Sequence, residues 1–254
     1  MTCFLCYASE PFASVDYPTT AMYIFGPFLF NVWHNGYVKH FTSKDVRKLF
    51  PNAIDRLYPG GQIVIYEGDE PSHMFFVKKG ALKNYDIDDN GNEKILHIIG
   101  ELGFFSVQYS FGENCEINSF YSTFTDTELL LITIDDFRER MNTDVVFANQ
   151  IFAWFVGEVS FILGRIKGLE KTEGRMKVAQ ALEFLLKRHA KPKNDSWHRV
   201  KFPVSQQFLA DLVGLTRETV STIMKELDEQ QVVHYPRQMR LEINENNLNK
   251  QVGT

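Results

Sequence analysis

Residues 205–227, SQQFLADLVGLTRETVSTIMKEL, constrain this 254-residue chain more tightly than any other segment. Ser205 is a capping residue placed ahead of a helix over Gln206–Val213. Gly214 tolerates the left-handed backbone that stops a helix, and Gly214, Leu215 and Thr216 make a turn. Thr216 then caps a second helix over residues 217–230. Ala210 is small where the two helices cross closely. Leu209, Val213, Leu215, Val220, Ile223 and Leu227 face inward and set the crossing angle. The pattern predicts a helix-turn-helix. Residues 232–235 and 239–243, separated by Pro236, Arg237 and Gln238, predict a hairpin wing after it. A generic helical hairpin would need neither that glycine nor that wing.

On such a unit Arg217, Glu218 and Ser221 fall near the start of the second helix, on its outward side. Side chains there can reach base edges in a major groove. Charge follows the same division: residues 170–254 hold 14 Lys and Arg against 11 Asp and Glu, while residues 1–169 hold 13 against 21. A mildly basic C-terminal part suits a module that faces phosphates.

Upstream, short runs at about ten-residue spacing alternate with turn chemistry. They are residues 63–66, 74–77, 81–87, 94–99, 119–125 and 128–133, with turns at Gly80 and at Asp88 to Asn92. They predict an all-β roll. A capped helix is expected over residues 42–49. The first 40 residues are aromatic-rich and irregular. Residues 21–33 are apolar but broken by Gly26 and Pro27, too short to span a bilayer, so no membrane association is expected.

The period then changes. Val145, Ala148, Phe152, Phe155, Val159, Ile162, Ile166 and Leu169 alternate in steps of three and four, an a/d seam. Ile151, Trp154 and Phe161 form a second stripe beside it. A helix with two apolar faces needs two partners. We expect one face, carrying Phe152, Phe155, Val159, Ile162 and Ile166, to meet its copy in a homodimer and the other to cover the roll. A second helix is expected over residues 173–189, and residues 190–196, broken by Pro192, read as a polar loop.

The fold expected is therefore α+β: an N-terminal double-stranded, jelly-roll-like β-roll, a long dimerisation helix and a C-terminal winged helix-turn-helix. Its divisions are an arm at 1–40, a sensor at 41–140, the helix at 141–171 and a DNA-binding domain at 172–254. Three Cys cannot close a disulfide framework, and no signal-peptide n-region is present, so a cytoplasmic protein is expected. No triad, HExxH, phosphate loop or supported carboxylate pair points to an enzyme.

Residues 214–227, GLTRETVSTIMKEL, resemble the recognition-helix signature of the cyclic-AMP receptor/fumarate-nitrate-reduction (CRP/FNR) regulator family. Residues 58–100 resemble its cyclic-nucleotide-binding-type roll, and the resemblance spans about residues 45–247. It implies a homodimer on a two-fold symmetric site in double-stranded DNA, switched by a signal in the roll, with RNA polymerase as a further partner. It assigns base contacts to Arg217, Glu218, Ser221 and Thr222. Arg217 would read guanine and Glu218 would accept from cytosine. Thr222 stands where both well-known branches carry Arg. Phosphate contacts would fall to Ser205, Gln207, Thr216 and Thr219.

The signal is harder to read. The family's cyclic-nucleotide site needs an Arg on the phosphate. No Arg or Lys lies between Lys94 and Arg138, and Ile117 or a neighbour takes that position, which speaks against cyclic AMP. Glu101, in GELG at 100–103, is a tempting match for the ribose-binding Glu, but counting from residues 128–137 places the cassette near 106–120. Cys3, Cys6 and Cys115 are one thiol short of a four-cysteine iron-sulfur cluster, which leaves a thiol or metal switch as an alternative. His73 and His97 are the haem candidates, and His97 reads better as a structural residue. Phe104, Phe105, Tyr109, Phe120, Tyr121, Trp154 and Phe155 could line a pocket for an apolar or aromatic small-molecule effector; plain core formation explains them as well. A nucleotide-binding regulatory subunit that acts on a partner protein is the remaining class, and the missing Arg argues against it.

Overall fold

A computed structural model describes residues 41–70, 72–111, 117–235 and 240–252. Helix α1 (Ser43–Leu49) starts at a capping box: the Thr42 side chain accepts from the Asp45 N–H, and the Asp45 carboxylate accepts from the Thr42 N–H. Eight strands follow: β1 (Ile54–Tyr58), β2 (Ile63–Ile65), β3 (His73–Lys79), β4 (Leu82–Ile87), β5 (Glu93–Ile99), β6 (Phe104–Phe105), β7 (Phe120–Thr123) and β8 (Thr127–Thr133). They form two four-stranded antiparallel sheets, ordered β1-β8-β3-β6 and β2-β7-β4-β5. Gly80 joins β3 to β4 at φ +96°, where a Cβ would stand 2.9 Å from the Asp126 carbonyl oxygen, so only glycine fits. Strands β1 and β6 are additions to the sequence reading. Strand β1 is mostly exposed and β6 has two residues, so neither carries a clear buried alternation.

Helix α2 (Ile134–Thr143) leads into the long helix α3 (Val145–Leu169), capped by Asp144 on the Phe147 N–H. Phe147 and Ile151 are buried against Phe41, Phe50, Phe104 and Phe137 of the roll. The other face is open: Phe152 is 53% exposed, Phe155 45%, Val159 40%, Ile162 37% and Ile166 46%. By length and composition alone this helix is apolar enough to cross a membrane. Glu158 and Arg165, both anchored to flanking elements, give it instead the character of a strut between two globular parts.

The C-terminal part comprises α4 (Gly174–His189), β9 (Ala190–Asn194), β10 (Trp197–Val200), α5 (Gln206–Val213), α6 (Arg217–Glu229), β11 (Val233–His234), β12 (Glu242–Asn244) and α7 (Glu245–Val252). Its sheet runs β11-β12-β10-β9. The loop expected at 190–196 is thus a strand for most of its length. Pro192 is tolerated because β9 is the sheet's edge, where one N–H can be missing, and the ladder shifts register beside it. Strands β11 and β12 pair Val233 with Ile243 and His234 with Glu242, giving the wing its base. The expected turn at 236–238 lies outside the described residues, as do residues 1–40 with Cys3 and Cys6, and Cys115.

Candidate nucleic-acid interface

Helix α5 is capped by Ser205, whose hydroxyl accepts from the Phe208 N–H at 3.0 Å. It ends at Gly214, with φ +70° and ψ +37°, whose N–H donates to the Ala210 carbonyl. Thr216 caps α6 by accepting from the Thr219 N–H at 3.2 Å, and the two hydroxyls lie 2.9 Å apart. Leu209, Ala210, Val213, Val220, Ile223 and Leu227 are buried; Leu215 is only half-buried. These contacts fix how α6 packs against α5.

Its leading edge is open. Arg217, Glu218, Thr219 and Thr222 are exposed and Ser221 is half-exposed. Thr222 donates to the Glu218 carbonyl at 3.1 Å, so its hydroxyl is turned back onto the helix. Thr216 is exposed and Ser205 half-exposed. Gln207 is exposed and held by Asp211 at 2.7 Å, which orients its amide on the same side. The residues expected to contact bases and phosphates thus lie at the caps and in the first two turns of α5 and α6, where free N–H groups and the helix dipoles favour phosphate.

Comparisons with known proteins bear on what a module of this shape does. The cyclic nucleotide-binding domain family matches residues 55–144, and the Crp-like helix-turn-helix domain family matches residues 177–248. The chain belongs to the CRP/FNR family of transcription regulators. Among curated relatives of this CRP/FNR chain, the cyclic AMP receptor protein of Thermus thermophilus is 28% identical over 178 residues, covering 70% of this chain and 78% of the relative. The cAMP-activated global transcriptional regulator Vfr of Pseudomonas aeruginosa is 25% identical over 197 residues, covering 75% and 90%. In fold it is similar to FixK2 of Bradyrhizobium japonicum (TM-score 0.67, 20% identity, 78% of this chain and 96% of that one). It is also similar to CprK complexed with OCPA (TM-score 0.60, 18% identity, 83% and 94%). This CRP/FNR chain is therefore a DNA-binding transcription regulator with an effector-binding domain, and not an enzyme.

Among the described residues, the aromatic side chains expected to line an effector pocket fall in separate places, with Phe104 and Trp154 lining one cleft. Phe105 stacks on Phe75 at 4.7 Å and on Tyr121 at 5.3 Å, Phe120 stacks on Tyr85 at 5.4 Å, and Tyr109 is buried in the same cluster as Phe105. Phe105 and Tyr121 meet between the two sheets, whereas Phe105–Phe75 and Phe120–Tyr85 are neighbours within a sheet, and Phe120 is only half-buried. Phe104 and Trp154 meet edge-to-face at 5.6 Å on the other side of the roll. Phe155 points away, on the open face of α3. Of the haem candidates, His73 contacts the Ser72 hydroxyl at 2.8 Å, and the His97 Nε2 lies 3.4 Å from Glu158 of α3.

Sequence reasoning missed the joint between sensor and DNA-binding domain. The Arg165 guanidinium donates to the carbonyls of Ile95 and Leu96 on β5 and, at 2.9 Å, to that of Leu212 on α5. Burial pushes its pKa down to about 10, so it remains charged at neutral pH. Glu158 accepts from Arg188 of α4. Burial pushes the Glu158 carboxyl up, but hydrogen bonds from His97 and Arg188 outweigh it and hold it below the usual range. Phe124 of the roll stacks on Phe202 at 5.1 Å and meets Phe208 edge-on at 5.0 Å. The available signal was Glu158 and Arg165, two of the three charges (the other is Lys167) in a mostly apolar helix. Arg138, which closes the cation-free stretch, also folds back onto it: its Nε donates to the Ser110 carbonyl at 2.6 Å.

Proposed function

We propose that this regulator acts in the cytoplasm as a homodimer on a two-fold symmetric operator. Each Arg217 donates two hydrogen bonds to the O6 and N7 of a guanine, while Glu218 accepts from a cytosine N4. The observation that carries the reading is the exposed leading edge of α6, held on a doubly capped helix-turn-helix. The open apolar face of α3 supports the dimer, since so long a stripe is costly to leave in water. Two copies joined there would present two α6 helices, whose spacing must match about one DNA turn of roughly 34 Å. That spacing rule was established on this same family and is carried over from it. RNA polymerase is the further partner the resemblance implies.

The signal we propose is a small molecule other than a cyclic nucleotide. The residues present do not fit a cyclic phosphate. Ile117, which with its neighbours stands about where the resemblance places the phosphate-binding Arg, is 1% exposed in an apolar cluster with Tyr58, Ile65 and Leu129. A buried phosphate beside such groups would lack compensation. Vfr, named as cAMP-activated, and the cyclic AMP receptor protein of Thermus thermophilus would on this reading differ from this chain in their ligand.

Selection from a random pool of duplex DNA, followed by native mass spectrometry of the complex, tests the proposal. An inverted-repeat consensus bound by two chains is expected. Enrichment of no consensus, or of a single half-site bound by one chain, contradicts it.

A further inference from the structure

A cleft of about 390 Å³ lies where the roll, α3 and the C-terminal domain meet. That volume falls in the range of roughly 300–1,000 Å³ typical of small-molecule sites. The roll contributes the turn at 100–103 and Phe104, α3 contributes Trp154 and Glu158, and the C-terminal domain contributes Lys187, Arg188, His189 and Lys201.

Three features give this cleft a chemical preference. Cations gather on one wall: Arg188 pairs with Glu158 and Lys187 with Glu183, whereas exposed Lys201 forms no ion pair among the described residues. Two imidazoles border it, and the His97 Nδ1 and His189 Nε2 are buried without a hydrogen-bond partner among the described residues. His189 is only 4% exposed, and a polar group so placed carries a desolvation cost that a ligand's hydrogen bond would remove. The third feature is an apolar side, made by Trp154 and Phe104.

We propose that this cleft binds a small organic anion. Its acid group meets Lys201 beside Arg188, a polar group reaches the imidazole nitrogens, and its apolar part lies against Trp154. The site joins sensor to DNA-binding domain directly: a Cβ on Gly100 would stand 3.1 Å from the His189 Nδ1. An occupant therefore bridges the turn after β5 to the end of α4. The consequence, that occupancy biases the position of α6, rests on the regulator reading; the binding itself does not.

Titration of the full chain with the fluorescent anion anilinonaphthalene sulfonate tests the site without DNA. One saturable site per chain is expected, weakened about tenfold by Lys201→Ala and again by Trp154→Leu, with unchanged circular dichroism. Leu57→Ser, at an exposed apolar position on β1, should leave that site's affinity unaltered. Absence of saturable binding, equal affinity in wild type and Lys201→Ala, or loss only in Leu57→Ser overturns the proposal. Gel shifts of the same proteins without the probe report on DNA binding separately, so failure of one reading is distinguishable from failure of the other.

Discussion

The Arg165 guanidinium on the long helix donates to the Leu212 carbonyl, one residue before the last of the helix-turn-helix's first helix, at 2.9 Å. The same group holds two carbonyls of β5, so one side chain ties the sensor, the strut and the DNA-reading unit together. Carbonyls at both ends lose their partner when it is removed.

Arg165→Leu is accordingly expected to destabilise the protein by about 3 kcal/mol, because buried acceptors are left unsatisfied. Arg165→Lys keeps the charge but cannot span three carbonyls, so an intermediate loss is expected. Urea denaturation measures both. Equal stability of Arg165→Leu and wild type would show that the joint contributes nothing.

The open face of α3 gives a prediction about assembly. Val159→Glu and Ile162→Glu alter half-exposed side chains, so each chain should keep its fold while the dimer breaks. Native mass spectrometry should report monomers, and affinity for a two-half-site operator should fall about 100-fold with the loss of bivalence. A dimer persisting in both variants would place the interface elsewhere.

His189 gives the stability a pH dependence. Burial pushes its pKa down to about 3, and His97, Arg188 and Lys201 add repulsion. An unfolded imidazole protonates near pH 6.5. Between those values the unfolded chain binds a proton that the folded chain does not, so stability falls as pH falls through the window. The slope should be about 1.4 kcal/mol per pH unit below about pH 6. Glu158, held below the usual carboxylate range, contributes stability that is present above about pH 4.5 and lost beneath it, so it does not cause the slope at pH 5–6. His189→Phe, which keeps a ring between Phe184 and Phe202, should flatten the slope between pH 6.5 and 5. An unchanged slope in denaturant titrations would assign it to other groups.

What could be read beforehand follows from how local each signal is. The caps at Ser205 and Thr216 and the left-handed Gly214 act over three or four residues, and they occur where the spacing places them. The two faces of α3 were equally visible in its period. Strand β9 was hidden because Pro192 reads as a breaker unless the strand is known to be an edge. The aromatic residues of the roll announced burial but not whether they surround a space or fill it; Phe105 and Tyr121 stacking across the sheets depends on register that spacing does not encode. The joint was least legible, since Arg165 and Ile95 are 70 residues apart in sequence.

The most direct test of the account is competition binding of wild type and Arg217→Ala against the selected operator and its single-base variants, at fixed salt. Loss of about 1–3 kcal/mol of preference at one G·C pair per half-site, with other positions unaffected, is the result predicted. Equal weakening on every sequence would mark Arg217 as a phosphate contact and contradict the claim that the leading edge of α6 reads bases.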